Sequence, residues 1–516
     1  MAEPVDETAF RLARGSALLL LGQVGSTAVS LAAFMYIARS ITKTEMGVAG
    51  IVGLIMMLGV LVSDAGISTS STKFISEARG SGRETAPFII SSILLRVLFS
   101  LFFISILVAL AGYLSASLLR SSSYTVLFYL AALGIMASGL MTTLNAVLLG
   151  LDRTRDICVS LLTSTALGQS CAILLIRYGW GVLGYVIGWV VASTVNSLML
   201  ALFLARAFRG HASWDKVREA SSVLLKFSWP VFITSLANFV FLCFDRFVLM
   251  TLATPMEFGI YSVASKAYQA LTMIPINIAM ALFPHYGEMY GRRDEEMIRL
   301  ATKNVSRYLC LFYLPVALGL AALSRPILVI FAGEKYECGA PLLAIFGLFG
   351  ALTTLIPMLG YLLITYGRTK TYMATNLASV FGSLLLAPLL ISSFGVLMGV
   401  AVMKGVASII LLLAYLLSLR GSLAIDWKAA AKASLASLVM ASAVFALQLY
   451  LTPAYFLLIH VAVGVLVYGA CVRALRMLNR RDARLLTSIV PGALKKPVLS
   501  IILLLVHEAS GGEQAE

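Results

Sequence analysis

The sequence predicts an all-α polytopic membrane protein of about fourteen transmembrane helices: two parallel six-helix repeats, then two further helices. Three observations carry this expectation. Apolar runs of about twenty residues or more recur from end to end, each able to cross a hydrocarbon core about 30 Å thick. The runs are rich in Gly, Ala, Ser and Leu and show no strand alternation. A backbone in lipid must satisfy its own hydrogen bonds, so helices rather than a barrel are expected. The third observation is an internal repeat that divides the chain in two.

Spans are expected near 16–38, 45–67, 87–112, 124–149, 157–177, 181–205, 222–250, 258–284, 304–324, 341–366, 371–392, 395–419, 429–450 and 453–475. With 60% hydrophobic and 12% charged residues, the chain is not a string of soluble domains. A net charge of +15 would suit nucleic acid, but its distribution argues against that partner. With the N-terminus inside, inner segments and inner helix ends hold 29 Lys and Arg, and outer ones hold six. The remaining four, Arg96, Arg246, Lys266 and Lys404, fall within spans. That asymmetry is the positive-inside pattern, here of a plasma-membrane protein with both termini cytoplasmic.

The expected organisation follows from these spans. A polar cytoplasmic segment, 1–15, is loose in its first ten residues and precedes a first lobe at 16–205. A cytoplasmic linker, 206–221, leads to a second lobe at 222–419; the last two helices occupy 429–475, and a basic cytoplasmic tail runs from 476 to 516. The first apolar run is too long for a signal peptide and lacks a small-residue cleavage site. In the tail, 497–506 is too short to span and is expected at the lipid interface. Inner loops 68–86, 206–221 and 285–303 carry mixed charge. The last reads as a solvated helix in which Glu295 supports Arg299. The six cysteines are scattered without paired or metal spacing.

The repeat has three anchors. Lys43 to Gly47 (KTEMG) corresponds to Pro255 to Gly259 (PMEFG), with Glu45 over Glu257. Arg153 and Thr154 correspond to Arg368 and Thr369, and Gly181 to Ser193 corresponds to Gly395 to Ser408 with one inserted residue. Six spans separate equivalent points. Six is even, so both halves have the same orientation, related by an axis along the membrane normal.

A charge at the bilayer centre costs roughly 2.5–3.5 kcal/mol on insertion scales, so charged residues within spans are candidate functional residues. On span 7, Thr234, Asn238 and Asp245 share one helical face. Three oxygen-bearing side chains suit Na⁺, and a buried Asp245 can alternatively carry a proton. A structural ion pair from Asp245 to another helix is the competing reading. Span 8 has a polar stripe of Lys266, Gln269 and Asn277. Arg246, Lys266 and Lys404, with Arg96 as a weaker member, would make a cationic cavity for an anionic cargo such as a lipid pyrophosphate. Arg96 can equally snorkel to the inner interface, and Asp64 is expected to cap or pair there. Pro230, Pro275, Pro315, Pro357 and Pro388 interrupt spans 7 to 11 and are expected to kink them.

Enzyme signatures are missing. The four histidines are far apart, and no HExxH, GxSxG or P-loop pattern occurs. Glu334, Glu337 and Cys338 make either an outer carboxylate site or, more simply, a solvated loop. Neither an enzyme nor a cofactor is expected.

The stretches RGSALLLLGQVGS, IARSITKTEMGVAGIVGLI and SDAGIS resemble the first two helices of polysaccharide flippases. So do FSWPVFITSL, FDRFVLMTLATPMEFGIYSVASKAY and FPHYGEMYGRRD for helices 7 and 8, and GRTK at 367–370. These flippases belong to the multidrug/oligosaccharidyl-lipid/polysaccharide (MOP) exporter superfamily. The resemblance implies MATE-like lobes around a cationic cavity, working by alternating access. It implies a polyprenyl-phosphate- or pyrophosphate-linked oligosaccharide as cargo, with membrane lipids and glycan-assembly enzymes as partners, and H⁺ or Na⁺ as coupling ion. Thr234, Asn238 and Asp245 resemble the ion site of related peptidoglycan-precursor flippases. The first-lobe arginine cluster of that branch has no counterpart beyond Arg96. The alternatives are a cation-coupled multidrug exporter and a scaffold or enzyme of glycan polymerisation. The repeat supplies a control: Asp245, Arg246 and Lys266 fall over Ala33, Phe34 and Leu54. The scaffold is duplicated and the charge is not.

Overall fold

The computed structural model describes residues 5–207, 212–420 and 424–478. The described residues contain helices joined by short turns, and no strand. The first helices are α1 (Val5–Ser40), α2 (Lys43–Asp64), α3 (Ile67–Gly80), α4 (Ala86–Leu118), α5 (Thr125–Gly150), α6 (Thr154–Arg177), α7 (Gly181–Ala207) and α8 (Trp214–Leu252). They are followed by α9 (Pro255–Gly291), α10 (Glu295–Ala322), α11 (Ser324–Ala332), α12 (Ala340–Leu352), α13 (Ile356–Thr365), α14 (Thr369–Leu385), α15 (Ala387–Ser418), α16 (Trp427–Tyr450) and α17 (Leu457–Ala474). Twelve described helical segments are long and apolar enough to cross a membrane. The protein is a multi-pass membrane protein, and α1 and α14 bring the helices that match the expected spans to about fourteen.

The differences from expectation lie at the ends and breaks of helices. α1 starts at Val5, so much of the segment expected to be loose is helical. Lys, Arg and Glu are good helix formers, and the mixed-charge loops are largely helix: α3 fills most of 68–86, α8 starts at Trp214 and α9 runs to Gly291. Asp294 then caps α10, its side chain accepting the Met297 amide at 2.9 Å. Pro230, Pro275 and Pro315 lie inside helices. Pro357 and Pro388 instead sit in the first turns of α13 and α15, where a missing N–H leaves no intrahelical bond unmade. Span 10 is therefore two helices, α12 and α13. The piece 387–394 completes span 11 before a bend at Gly395 (φ 77°, ψ 168°). The expected interfacial segment 497–506, the tail beyond 478 and linker residues 208–211 lie outside the described residues.

Two compact units divide the chain, residues 1–262 and 263–516. The division falls within α9 rather than in the expected linker, because α8 packs on α2, α3 and α4 of the first unit. In that unit Ile75, Ile89, Leu144, Val147, Leu148 and Leu200 form a buried cluster. In the second, α10 packs on α12 and α16, α14 on α15, and α16 on α17, with Leu323, Met440 and Val444 buried among them.

All three anchors of the repeat are built alike. Thr42 and Glu45 form a capping box at the start of α2, with the Glu45 amide on Thr42 Oγ1 at 3.2 Å and the Thr42 amide on Glu45 Oε2 at 2.9 Å. Thr254 and Glu257 repeat it at α9 with 3.3 and 2.8 Å. Before α6, Asp152 is left-handed (φ 62°) and Arg153 has φ −98°, ψ 48°; before α14, Gly367 (φ 70°) and Arg368 (φ −85°, ψ 45°) do the same. The third anchor opens with positive φ at both Gly181 (48°) and Gly395 (77°). The first anchors also meet. A Cβ on Gly47 would lie 1.6 Å from the Pro255 carbonyl oxygen, and one on Gly259 would lie 2.1 Å from that of Lys43. Two backbones cross there with room for hydrogen alone.

Candidate functional site

Asp245 is the acidic centre of the candidate site. It lies seven residues before the end of α8, and Tyr261 lies six residues into α9, so each is roughly 10 Å along its helix from the connecting turn. The turn is tight. The Ala253 amide closes α8 on Leu249 O at 2.8 Å, and the Thr254 capping box opens α9 directly after it. Residues equally far from such a turn face each other, and here the Tyr261 hydroxyl donates to Asp245 Oδ2 at 2.6 Å. Asp245 is 4% exposed and Tyr261 1%. A hydrogen bond to a carboxylate in these surroundings is of the strong, charge-assisted kind. Arg246, the next residue, is half-buried and near enough to act electrostatically on the same hydroxyl.

The structure does not gather the other oxygens of the expected ion site around Asp245. Asn238 and Thr234 are exposed on α8, and Thr234 Oγ1 bonds back to Pro230 O at 3.0 Å. At 1.5 Å rise per residue Asn238 is roughly 10 Å and Thr234 roughly 16 Å from Asp245 along the axis. Hard cations hold their oxygens at about 2.5 Å, so one ion does not touch all three. Sharing a helical face is not the same as sharing a site. Tyr261, which sequence reasoning passed over, is the partner that is supplied. The signal was its distance from Asp245, nearly symmetric about the TLATP turn. At the repeat offset Tyr261 falls over Ala49 and Asp245 over Ala33, and both alanines are buried.

Arg96 needs a correction. It is 0% exposed, the largest fully buried side chain described, so it neither snorkels nor lines an open cavity. Nη1 pairs with Asp64 Oδ1 at 3.1 Å, and Nη2 bonds Val60 O at 3.2 Å. Gly139 lies against the guanidinium, where a Cβ would come within 2.6 Å of Nε. Asp64 thus pairs with Arg96 inside the bundle, and it also accepts from Ser68 Oγ and the Ser68 amide. Glu337 is also paired, with Arg325 at 2.8 Å, both half-exposed.

In the second unit, Lys266 and Gln269 are exposed on α9, together with Asn277 further along. Lys266 stands eleven residues into an apolar helix, roughly 16 Å from its start. Lys404 is half-buried on α15, and its carbonyl accepts from Ser408 Oγ at 3.1 Å. Among the described residues no group of three or more His, Cys, Asp and Glu is placed to hold a metal ion.

Residues 12–290, more than half of the chain, match the family described as polysaccharide biosynthesis protein. The chain belongs to that family. Residues 230–389 also match the MatE family. It is 22% identical over 326 residues to the putative O-antigen transporter of Shigella flexneri, covering 62% of this chain and 76% of the relative. It shares its fold with the lipid II flippase MurJ in an inward closed conformation (TM-score 0.71, 18% identity, 88% of this chain and 98% of that one). An inward-facing multidrug resistance MATE transporter of the MOP superfamily matches at TM-score 0.61 and 16% identity, over 77% and 95% of the two chains. The family resemblance read from spans 1, 2, 7 and 8 stands, and the chain shares the fold of the MurJ and MATE structures.

Proposed function

We propose that this protein is a flippase that carries a saccharide linked to a polyprenyl phosphate or pyrophosphate from the inner to the outer leaflet of the plasma membrane. Alternating access moves the cargo, both termini are cytoplasmic, and the product feeds surface-glycan assembly. The observation that carries the proposal is Lys266, a cation exposed eleven residues into an apolar helix with Gln269 exposed on the same helix. A charge so placed is tolerated where it meets an aqueous path or an anion, and a phosphate offers acceptors for both side chains. The O-antigen transporter and the lipid II flippase among its likenesses support a lipid-linked saccharide. No covalent chemistry is needed for the step.

A cation couples the cycle in this reading, with Asp245 as carrier and Tyr261 setting its environment. Flipping driven by a pH gradient in Na⁺-free buffer assigns H⁺; dependence on a Na⁺ gradient assigns Na⁺.

The test is transbilayer movement of a lipid-linked oligosaccharide in proteoliposomes. Losing one charge-assisted hydrogen bond of about 1.5–3 kcal/mol corresponds to a roughly 10- to 150-fold loss. Lys266→Glu is expected to lose at least that and Lys266→Ala to fall within it, while Lys266→Arg retains most of the rate. Wild-type flipping by Lys266→Glu would falsify the assignment. The MatE match keeps one second reading, cation-coupled drug export. An exposed lysine disfavours cationic drugs, and drug efflux without glycolipid flipping would establish that reading instead.

A further inference from the structure

A second basic feature lies wholly within the 263–516 unit, away from Lys266 and Lys404. Lys303 and Arg307 of α10, Lys428 and Lys432 of α16, and Arg476 just beyond α17 line a concavity of about 290 Å³. Leu311 and Met477 add apolar wall, and Asp426 is the one carboxylate among its lining residues. Asp426 is committed elsewhere, since its Oδ1 caps α16 by accepting the Ala429 amide at 3.0 Å.

The positive-inside rule explains why these five cations lie at one end of their helices. It does not explain why three separate elements aim them into one hollow. Two have structural employment. Arg307 donates to Met477 O at 2.6 Å and Lys432 to Leu475 O at 2.9 Å, holding carbonyls left over at the end of α17. Those bonds fix α10, α16 and the end of α17 together, so the hollow is preorganised. Lys303, Lys428 and Arg476 are exposed around it, and Arg476 is held in a left-handed backbone (φ 51°). Like charges this close repel unless an anion sits among them. The first turn of α16 adds the positive end of a helix. Trp427, 60% exposed at that turn, is the type of residue found at the headgroup level of a membrane.

We infer that this hollow binds the phosphate of an anionic lipid at the lysine- and arginine-rich side of the membrane. The lipid is either a resident phospholipid or the phosphate end of a polyprenyl carrier. The inference does not depend on Lys266 or on the identity of the cargo.

The experiment counts lipid retained by the purified full-length protein in native mass spectrometry, after reconstitution into phosphatidylcholine with one fifth phosphatidylglycerol. The triple variant Lys303→Ala/Lys428→Ala/Arg476→Ala spares Arg307 and Lys432, which bind backbone. Its control removes three exposed charges elsewhere, Arg155→Ala/Arg218→Ala/Lys370→Ala. Taking each surface cation at its usual worth for an anionic lipid, the triple variant is expected to bind phosphatidylglycerol about a hundredfold more weakly, and the control like the wild type. Displacement of bound phosphatidylglycerol by a polyprenyl phosphate assigns the hollow to the carrier; retention against it assigns a resident phospholipid. Equal retention by the triple variant and the wild type overturns the inference. So does equal loss in the control, or wild-type binding of phosphatidylcholine as strong as that of phosphatidylglycerol.

Discussion

The hydrogen bond from Tyr261 to Asp245 makes the most direct test of the candidate site. Tyr261→Phe removes one donor, 2.6 Å from a carboxylate that is 4% exposed, and leaves the ring to fill its place. Cavity terms are therefore small, and the loss is that of a hydrogen bond to a charged group, about 1.5–3 kcal/mol. Asp245→Leu removes the acceptor of that hydrogen bond, a penalty of about 1–3 kcal/mol. With both changes the bond is lost only once, so the double variant should cost about 1.5–3 kcal/mol less than the sum of the singles. The repeat supports this arithmetic, because Ala33 and Ala49 are buried at the equivalent positions without any polar pair. The assay is thermal unfolding of the four proteins in one detergent–lipid mixture, with flipping by Asp245→Asn measured alongside. Single-variant costs that add to within about 0.5 kcal/mol would show the pair uncoupled, and wild-type flipping by Asp245→Asn under a cation gradient would remove it from the transport cycle.

Two further outcomes follow from close contacts in the first unit. Gly47→Ala puts a Cβ 1.6 Å from a backbone oxygen and Gly259→Ala one at 2.1 Å, so either forces the crossing open by about 2 Å at a cost of about 1–3 kcal/mol. Both act on one crossing, so the double variant should unfold at nearly the temperature of the worse single. Arg96→Met leaves Asp64 without its partner and is expected to cost about 3–5 kcal/mol, whereas Arg96→Met/Asp64→Leu recovers most of that. A double variant as unstable as Arg96→Met in thermal unfolding would mean that packing against Gly139, not charge, sets the cost.

The spans, the repeat and the basic asymmetry were legible in the sequence because each is a one-dimensional property. Hydropathy adds along a segment, and a duplicated turn such as Thr42–Glu45 and Thr254–Glu257 keeps its residues. The buried charges were legible as well, since an ionisable residue in an apolar run stands out. Their partners were not. Asp245 shares a face of α8 with Thr234 and Asn238, yet its hydrogen bond comes from a tyrosine on the next helix, because rise along an axis separates what periodicity groups. Arg96 and Asp64 are 32 residues apart on α4 and α2, and only packing decides that a guanidinium has no route to the interface. The prolines divide in the same manner. Pro230, Pro275 and Pro315 lie inside helices, whereas Pro357 and Pro388 begin new ones. The sequence thus determined where the chain crosses the membrane and which side chains are costly to bury there. The tertiary structure decided which of those side chains are paired and which face outward, because that depends on the neighbouring helix.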